Sequence, residues 1–287
     1  MLKYLIIVYT QPFLNSNFLE ILKNVPDMTW TPEIPDQFKY YSINQVKQLI
    51  LPQKQVISQQ KTKYLESAPN SFSWLDLKPS CMAVHDQGNC ASCWALSAVG
   101  SFSDNRCISG TDNNRVEFSA QYMISCDTSD FGCDGGYVTA SLLFLRLTGV
   151  PTEECVNYTG ASTTCPTLCD DGRQMFLVKS EPFEDVCAGE DSIKAALQKG
   201  TVVSSLVVYE DFLYYKSGIY EHKTGSLQGG HTVVFVGYGV ENGVKYWVVR
   251  NTYGPKWGEN GYFRIKRGVS ECGIEDQCFL IYKEEAK

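Results

Sequence analysis

Gln87-Gly88-Asn89-Cys90-Ala91-Ser92-Cys93-Trp94 is the stretch on which the reading of this chain turns. After Cys93, apolar side chains recur at helical spacing: Trp94, Leu96, Val99, Phe102 and Ile108, with Gly110 as a stop. The spacing predicts a buried helix over 93–107. A cysteine in the first helical turn faces free backbone N–H groups and the positive end of the macrodipole, which favour thiolate. Three chemistries fit Cys90 and Cys93. A redox dithiol belongs after a strand in a small βαβ unit, and nothing upstream reads as one. A structural disulfide from Cys90 fits many folds. A nucleophilic Cys93 needs a base far off in sequence and close in space.

The chain has three histidines. His222 lies in the polar turn Tyr220-Glu221-His222-Lys223 and reads as exposed and inert. His85 precedes Asp86-Gln87 and reads as locally hydrogen-bonded. His231 stands between Gly229-Gly230 and the apolar run Thr232-Val233-Val234-Phe235-Val236, at the edge of a predicted strand where an imidazole can face a cleft. Asn251 ends the apolar run 246–249, and an amide there can hold an imidazole in one tautomer. The order Gln87, Cys93, His231, Asn251 carries more than any of the four alone.

The remaining sequence frames these residues. A net charge of −7 and a pI near 5.1 argue against a nucleic-acid binder. Twelve cysteines, ten of them between 81 and 187, suit the oxidising secretory route better than a zinc protein, since no paired Cys-x-x-Cys set has suitable partners. Lys3 and the apolar run Leu5-Ile6-Ile7-Val8 make 1–10 resemble a short signal peptide, too short to span a bilayer. Asn157-Tyr158-Thr159 is a glycosylation sequon. Residues 11–67 contain no cysteine or glycine, carry Pro26, Pro32, Pro35 and Pro52, and end in a Gln/Lys-rich stretch, 53–63. Short helices are expected at 18–23, capped by Asn15-Ser16-Asn17, and at 43–50, capped by Ser42. The stretch reads as a flexible extension or a removable pro-segment. Beyond it, Ser119 caps a helix through Ile124, and 139–147 forms another ended by Gly149 and Pro151. Strands are expected at 201–208, 231–238, 245–250 and 262–266, with Glu241-Asn242-Gly243 as a hairpin turn. A helical part thus precedes a β-rich part.

The blocks around Gln87 to Trp94, Gly229-Gly230-His231 and Asn251-Thr252-Tyr253-Gly254 with Trp257-Gly258 resemble those of papain-family proteases. The resemblance spans about 68–282. It is closest to cathepsin B through Ser103-Asp104-Asn105-Arg106-Cys107-Ile108, through 209–218, through Gly239-Val240-Glu241-Asn242-Gly243 and through Cys272-Gly273-Ile274-Glu275. Residues 11–67, with Trp30 and Tyr40-Tyr41-Ser42-Ile43, are similar to the cathepsin B pro-segment, leaving 68–287 as the mature peptidase domain.

The resemblance implies an α+β, papain-like fold of two subdomains, helical left and β-barrel right, with the cleft between them. It implies that Cys93 attacks peptide carbonyls, that His231 holds the thiolate as an ion pair and later protonates the leaving amine, and that Asn251 orients His231. Gln87 and the Cys93 backbone N–H would form the oxyanion hole. A papain-type ion pair lowers the cysteine pKa to roughly 3–4. Gly135 and Gly136 would pair with substrate backbone, Val138, Thr232 and Gln277 would line the second pocket, and Tyr253 and Trp257 would also belong to the substrate-binding site, with Tyr253 shielding the His–Asn pair. Implied disulfides are Cys81–Cys107, Cys90–Cys133, Cys126–Cys165 and Cys155–Cys169. Cys187, Cys272 and Cys278 are left over with Cys93; they allow one further bond, of which Cys187–Cys278 is one choice.

Three departures matter. Ala91 replaces a family glycine and would be strained at positive φ. Tyr253 replaces a tryptophan that shields the His–Asn bond. Only residues 156–164, without histidine, separate Cys155 from Cys165, where cathepsin B carries a long carboxylate-binding occluding loop. The expectation is a monomeric, zymogen-made endopeptidase of a lysosome-like vacuole or the exterior, with little dipeptide-releasing activity. Its partners would be protein and peptide substrates, its own pro-segment and cystatin-type inhibitors, with no cofactor, metal, nucleic acid or membrane. The alternative is a catalytically impaired papain-like binding protein.

Overall fold

The computed structural model describes residues 12–51, 61–64 and 66–282. The signal-like run at 1–10 and most of the Gln/Lys-rich stretch lie outside the described residues.

The N-terminal segment forms α1 (Ser16–Lys23), β1 (Trp30–Pro32) and α2 (Ile43–Lys47). The Asn15 side chain caps α1 by accepting from the Phe18 N–H, and Ser42 and Gln45 form a capping box on α2. Helix α2 stops short of residue 50. Pro52 disfavours helical backbone at Leu51, and Leu51 instead exchanges both backbone hydrogen bonds with Gly230, at 2.6 and 2.9 Å.

After β2 (Phe72–Ser73) and α3 (Trp74–Leu77) comes α4 (Cys93–Ile108), in which every residue but Arg106 and Ile108 is buried. Helices α5 (Ala120–Cys126) and α6 (Val138–Leu147) pack on one side of α4 and the sheet on the other. The short strand β3 (Phe183–Asp185) and helix α7 (Glu190–Leu197) lead into the β-rich half: β4 (Val202–Tyr209), β5 (Tyr215–Tyr220), β6 (Leu227–Glu241), β7 (Val244–Arg250), β8 (Tyr262–Lys266) and β9 (Cys278–Ile281). Asn242 and Gly243, both at positive φ, make the two-residue turn between β6 and β7.

The hydrogen-bonded strand order is β1-β5-β8-β7-β6-β4-β9-β3, with β2 added beside β6. The expected barrel is corrected here. Strand β6 is bent by a bulge between Phe235 and Gly237, but β1 and β3 stay unpaired with each other among the described residues, so the sheet coils without closing.

Two hydrophobic clusters result. One surrounds α4, α5 and α6. The other fills the sheet half and takes in Leu22, Trp30, Phe38, Val46 and Leu49 of the N-terminal segment. Buried Asp104 of α4 ties the halves together through Arg250, which closes β7, at 2.8 Å. The bonded disulfides are Cys81–Cys107, Cys90–Cys133, Cys126–Cys165, Cys155–Cys169 and Cys187–Cys278, leaving Cys93 and Cys272 as free thiols.

Candidate active site

Cys93 is the first residue of α4, and because Ser92 before it makes no side-chain cap, the leading N–H groups of Cys93 and Trp94 are left to the Cys93 sulfur. His231 lies on β6, held on one side by β4, where it faces Leu206, and followed by the β6–β7 ladder. Asn251 directly follows β7. Its Oδ1 accepts from His231 Nε2 at 2.7 Å and from the Thr252 N–H at 2.8 Å. With the proton on Nε2, the lone pair of a neutral imidazole sits on Nδ1, and Nδ1 is buried without a hydrogen-bond partner among the described residues. The backbone N–H of Thr232, the next residue, reaches the Cys93 sulfur. Tyr253 stacks obliquely on His231, with ring centroids 4.6 Å apart, and Trp257 meets Tyr253 edge-on at 5.4 Å. Both aromatics are almost fully buried. Tyr253 thus covers one face of the His231 ring, and Trp257 backs Tyr253.

Gln87 is fully buried. Its Oε1 accepts from Thr252 Oγ1 at 2.6 Å, and its Nε2 donates to the carbonyls of Cys90 and Gln48, both at 2.9 Å. The cavity beside His231 is lined by Gly136, Val138, Thr232 and Gln277 and, from the N-terminal segment, by Leu51. Ser205 Oγ donates to Gln277 Oε1 at 3.0 Å. Gly135, at φ 119°, leads into this wall.

The segment buries the centre. Desolvation pushes the Cys93 thiol up to about 12, against the pull of the Thr232 hydrogen bonds. Desolvation also brings His231 down to about 4, although its bond to Asn251 acts the other way. In this closed form the pair is therefore neutral thiol and neutral imidazole. The thiolate–imidazolium pair implied by the sequence needs a solvated cleft.

Ala91 does not lie at positive φ, so the strain considered for it does not arise; its N–H donates to Cys133 C=O at 3.0 Å. His222 is not a free turn residue. It stacks on Tyr209 at 3.8 Å, and its Nδ1 lies 3.0 Å from the buried Asp211 carboxylate. His85 pairs with Glu117 at 3.1 Å. One contributor escaped the sequence reading. Tyr158 Oη donates to Gln87 C=O at 2.9 Å and lies 2.6 Å from Ser92 Oγ, bracing the loop ahead of Cys93. Tyr158 sits inside the sequon, and no spacing links it to Gln87. Among the described residues, no cluster of His, Cys, Asp and Glu could hold a metal.

Residues 68–282 match the papain family of cysteine proteases. The chain is 40% identical to Cathepsin B-like CP3 of Giardia intestinalis over 94% of each chain, and 34% identical to cathepsin B of Dictyostelium discoideum over 88% of each. Among solved structures it resembles proCathepsin B S9 from Trypanosoma congolense, with a TM-score of 0.89 and 27% identity over 96% of this chain and 100% of that one. A cysteine at a helix start, a histidine held by an asparagine, and a match over most of the chain agree: this protein belongs to the papain family of cysteine proteases and is a cathepsin B-like cysteine peptidase.

Proposed function

We propose that the chain is a zymogen whose residues 11–67 block the cleft and whose remainder, once they are removed, cleaves internal peptide bonds. The observation that carries this is the Gln48 carbonyl on the Gln87 amide, with buried Leu51 lining the cavity beside His231. The segment thus offers a peptide carbonyl to the donor that would receive a substrate's. Removing it readmits water, which lifts the desolvation on both groups. The proton can then pass from Cys93 Sγ to His231 Nδ1, giving the attacking thiolate. Asn251 keeps the imidazolium oriented through Nε2. Gln87 and the Cys93 N–H stabilise the oxyanion, and His231 returns the proton to the leaving amine.

Binding assignments follow the same geometry. Gly135 and Gly136 would pair with substrate backbone. Val138, Thr232 and the neutral Gln277 would favour an apolar side chain over arginine, and Tyr253 with Trp257 would keep water from the His–Asn bond. The short 156–164 loop is pinned by Cys126–Cys165 and Cys155–Cys169 and turned through Tyr158 onto the Gln87 loop. That supports an open primed side and endopeptidase action without release of C-terminal dipeptides. Five disulfides fit a secretory or lysosome-like compartment.

The test is labelling by an epoxide thiol inhibitor after acid processing. Wild type should label once and Cys93→Ala not at all; equal labelling of both would sink the assignment. C-terminal dipeptide release at rates matching internal cleavage would sink the open-cleft reading alone.

A further inference from the structure

Behind the wall formed by Gly135-Gly136-Tyr137 lie two carboxyls that the chemistry above does not use. Asp127 and Asp130 are only 6% and 8% exposed. Asp127 follows α5, and its Oδ1 accepts from the Ser129 N–H at 2.9 Å. Asp130 Oδ1 accepts from the Tyr137 N–H at 2.7 Å. The two carboxyls lie close enough to act on each other, and Oδ2 of each is buried without a hydrogen-bond partner among the described residues. A bond between two carboxyls exists only while they share a proton, because two carboxylates have no donor between them.

The surroundings offer no countercharge. Among the described residues, no Arg, Lys or His side chain acts on either acid. In the groove beside Asp127, α5 contributes Cys126, which is disulfide-bonded, and α6 contributes Thr139, Leu143 and Phe144; the other ionisable side chain there is Tyr137. From α4, Trp94 packs where Gly136 and Asp130 meet. A Cβ on Gly136 would stand 2.5 Å from Trp94 and 2.8 Å from Asp130 Cγ. Gly136 therefore rests directly on the Asp130 carboxyl, and any shift of that carboxyl is passed to Gly136 and Tyr137. Both line the cavity that holds His231 and Gln277.

We propose that Asp127 and Asp130 form a one-proton clamp that positions the Gly135-Gly136-Tyr137 wall for substrate, and that loss of the proton to solvent weakens substrate binding while leaving the chemical step alone. This deepens the protease reading and rests on it. Asp127 and Asp130 are positioning residues, since neither touches the reacting atoms. Desolvation pushes Asp130 up to about 7, with the neighbouring Asp127 charge adding to it, and raises Asp127 as well. The pair keeps its proton in acid and gives it up near neutrality. Two bare neighbouring carboxylates without a cation repel, and separating them pulls on the Tyr137 N–H.

The experiment compares acid-processed wild type with Asp130→Asn on an uncharged, blocked peptide from pH 5.5 to 8. In the variant, the amide can still accept from the Tyr137 N–H and donate to Asp127, but has no proton to lose. A group titrating at about 7 gives a wild-type KM about tenfold higher at pH 8 than at pH 6. Asp130→Asn should hold its KM within about twofold, and the two proteins should share one kcat profile. A flat wild-type KM, or the same rise in the variant, overturns the clamp; absence of hydrolysis by either protein overturns the protease reading instead. Urea unfolding of the full chain tests the shared proton without catalysis. A carboxyl raised on folding makes the folded state bind more protons, so wild type should lose stability relative to Asp130→Asn as pH rises from about 4 to about 7, then run parallel above it. A pH-independent difference overturns the clamp whether or not the chain cleaves peptides.

Discussion

The side-chain amide of Gln87 donates to the carbonyl oxygen of Gln48 at 2.9 Å. One donor thus serves the closed form here and, in the proposed reaction, the oxyanion. Gln87→Ala should therefore act in two directions. The processed enzyme should lose roughly 10²–10³-fold in kcat, as loss of an oxyanion donor typically does. A synthetic peptide spanning residues 12–51 should inhibit it about tenfold less well than wild type, the effect of one hydrogen bond of about 1.4 kcal/mol. A kcat loss with unchanged peptide affinity would show that the Gln48 contact does not hold the segment.

The segment's anchorage lies away from the cysteine. Trp30 is 4% exposed, packs against Tyr220 at 5.3 Å, and donates from Nε1 to the Glu221 carbonyl at 3.0 Å. Burying an aromatic side chain of this size typically contributes about 3–5 kcal/mol relative to alanine. Trp30→Ala should weaken inhibition by the same peptide at least 100-fold and speed autoprocessing of the full chain at acid pH. Processing at the wild-type rate would mean that the docking of β1 on β5 does not limit opening.

The closed form also predicts a thiol that does not react. With Cys93 at about 12, its thiolate fraction at pH 8 is on the order of 10⁻⁴. Cys272 is also raised, by burial first and then by the adjacent Glu271 charge. Iodoacetamide at pH 7 to 8 should leave both nearly unmodified in the full chain. After processing, Cys93 alone should alkylate, and the reaction should persist below pH 6, since a thiolate paired with imidazolium survives acid. Mass mapping reads each site. Rapid alkylation of Cys93 in the full chain would contradict the buried, neutral pair.

How far these features can be read from residues alone depends on how local their causes are. Helix α4 is legible because its apolar spacing runs from Cys93 to Ile108, and the β6–β7 turn because Asn242-Gly243 suits positive φ at both positions. Short helix α7 starts after Gly189 with no side-chain cap, so its start is marked by little more than Glu190 and Asp191 in the first turn. Strand β5 carries Gly218 in its middle and β1 ends on Pro32, both poor strand residues. Their pairing depends on Trp30 meeting Tyr215 and Tyr220, a relation between residues about 190 apart. The order of Gln87, Cys93, His231 and Asn251 was visible in the sequence. That Gln48 and Leu51 would lie against two of them was not, because helix 43–47 gives no hint of where its C-terminal end points. An open sheet was likewise hidden, since closure depends on how β1 and β3 meet in space.

Asp104 offers the last test, because it joins the nucleophile's helix to the strand before Asn251. The carboxylate is fully buried and contacts Arg250 at 2.8 Å and Arg115 at 3.0 Å, while Thr201 Oγ1 donates to it at 3.2 Å. Gly100 leaves the room for this: a Cβ there would lie 3.0 Å from an Arg250 Nη2 nitrogen. Removing the acid strands the almost fully buried Arg250 guanidinium and leaves the buried Arg115 with Glu117 as its acid partner. Breaking a buried pair from one side typically costs about 3–5 kcal/mol. Asp104→Ala should lower full-chain stability in urea by that amount at pH 5 to 7. Because Arg250 adjoins Asn251, the variant that remains folded should also lose kcat, whereas Glu154→Ala, which breaks the exposed pair with Arg173, should cost about 1 kcal/mol or less and leave kcat unchanged. Equal costs for the two variants would show that Asp104 does not join the halves.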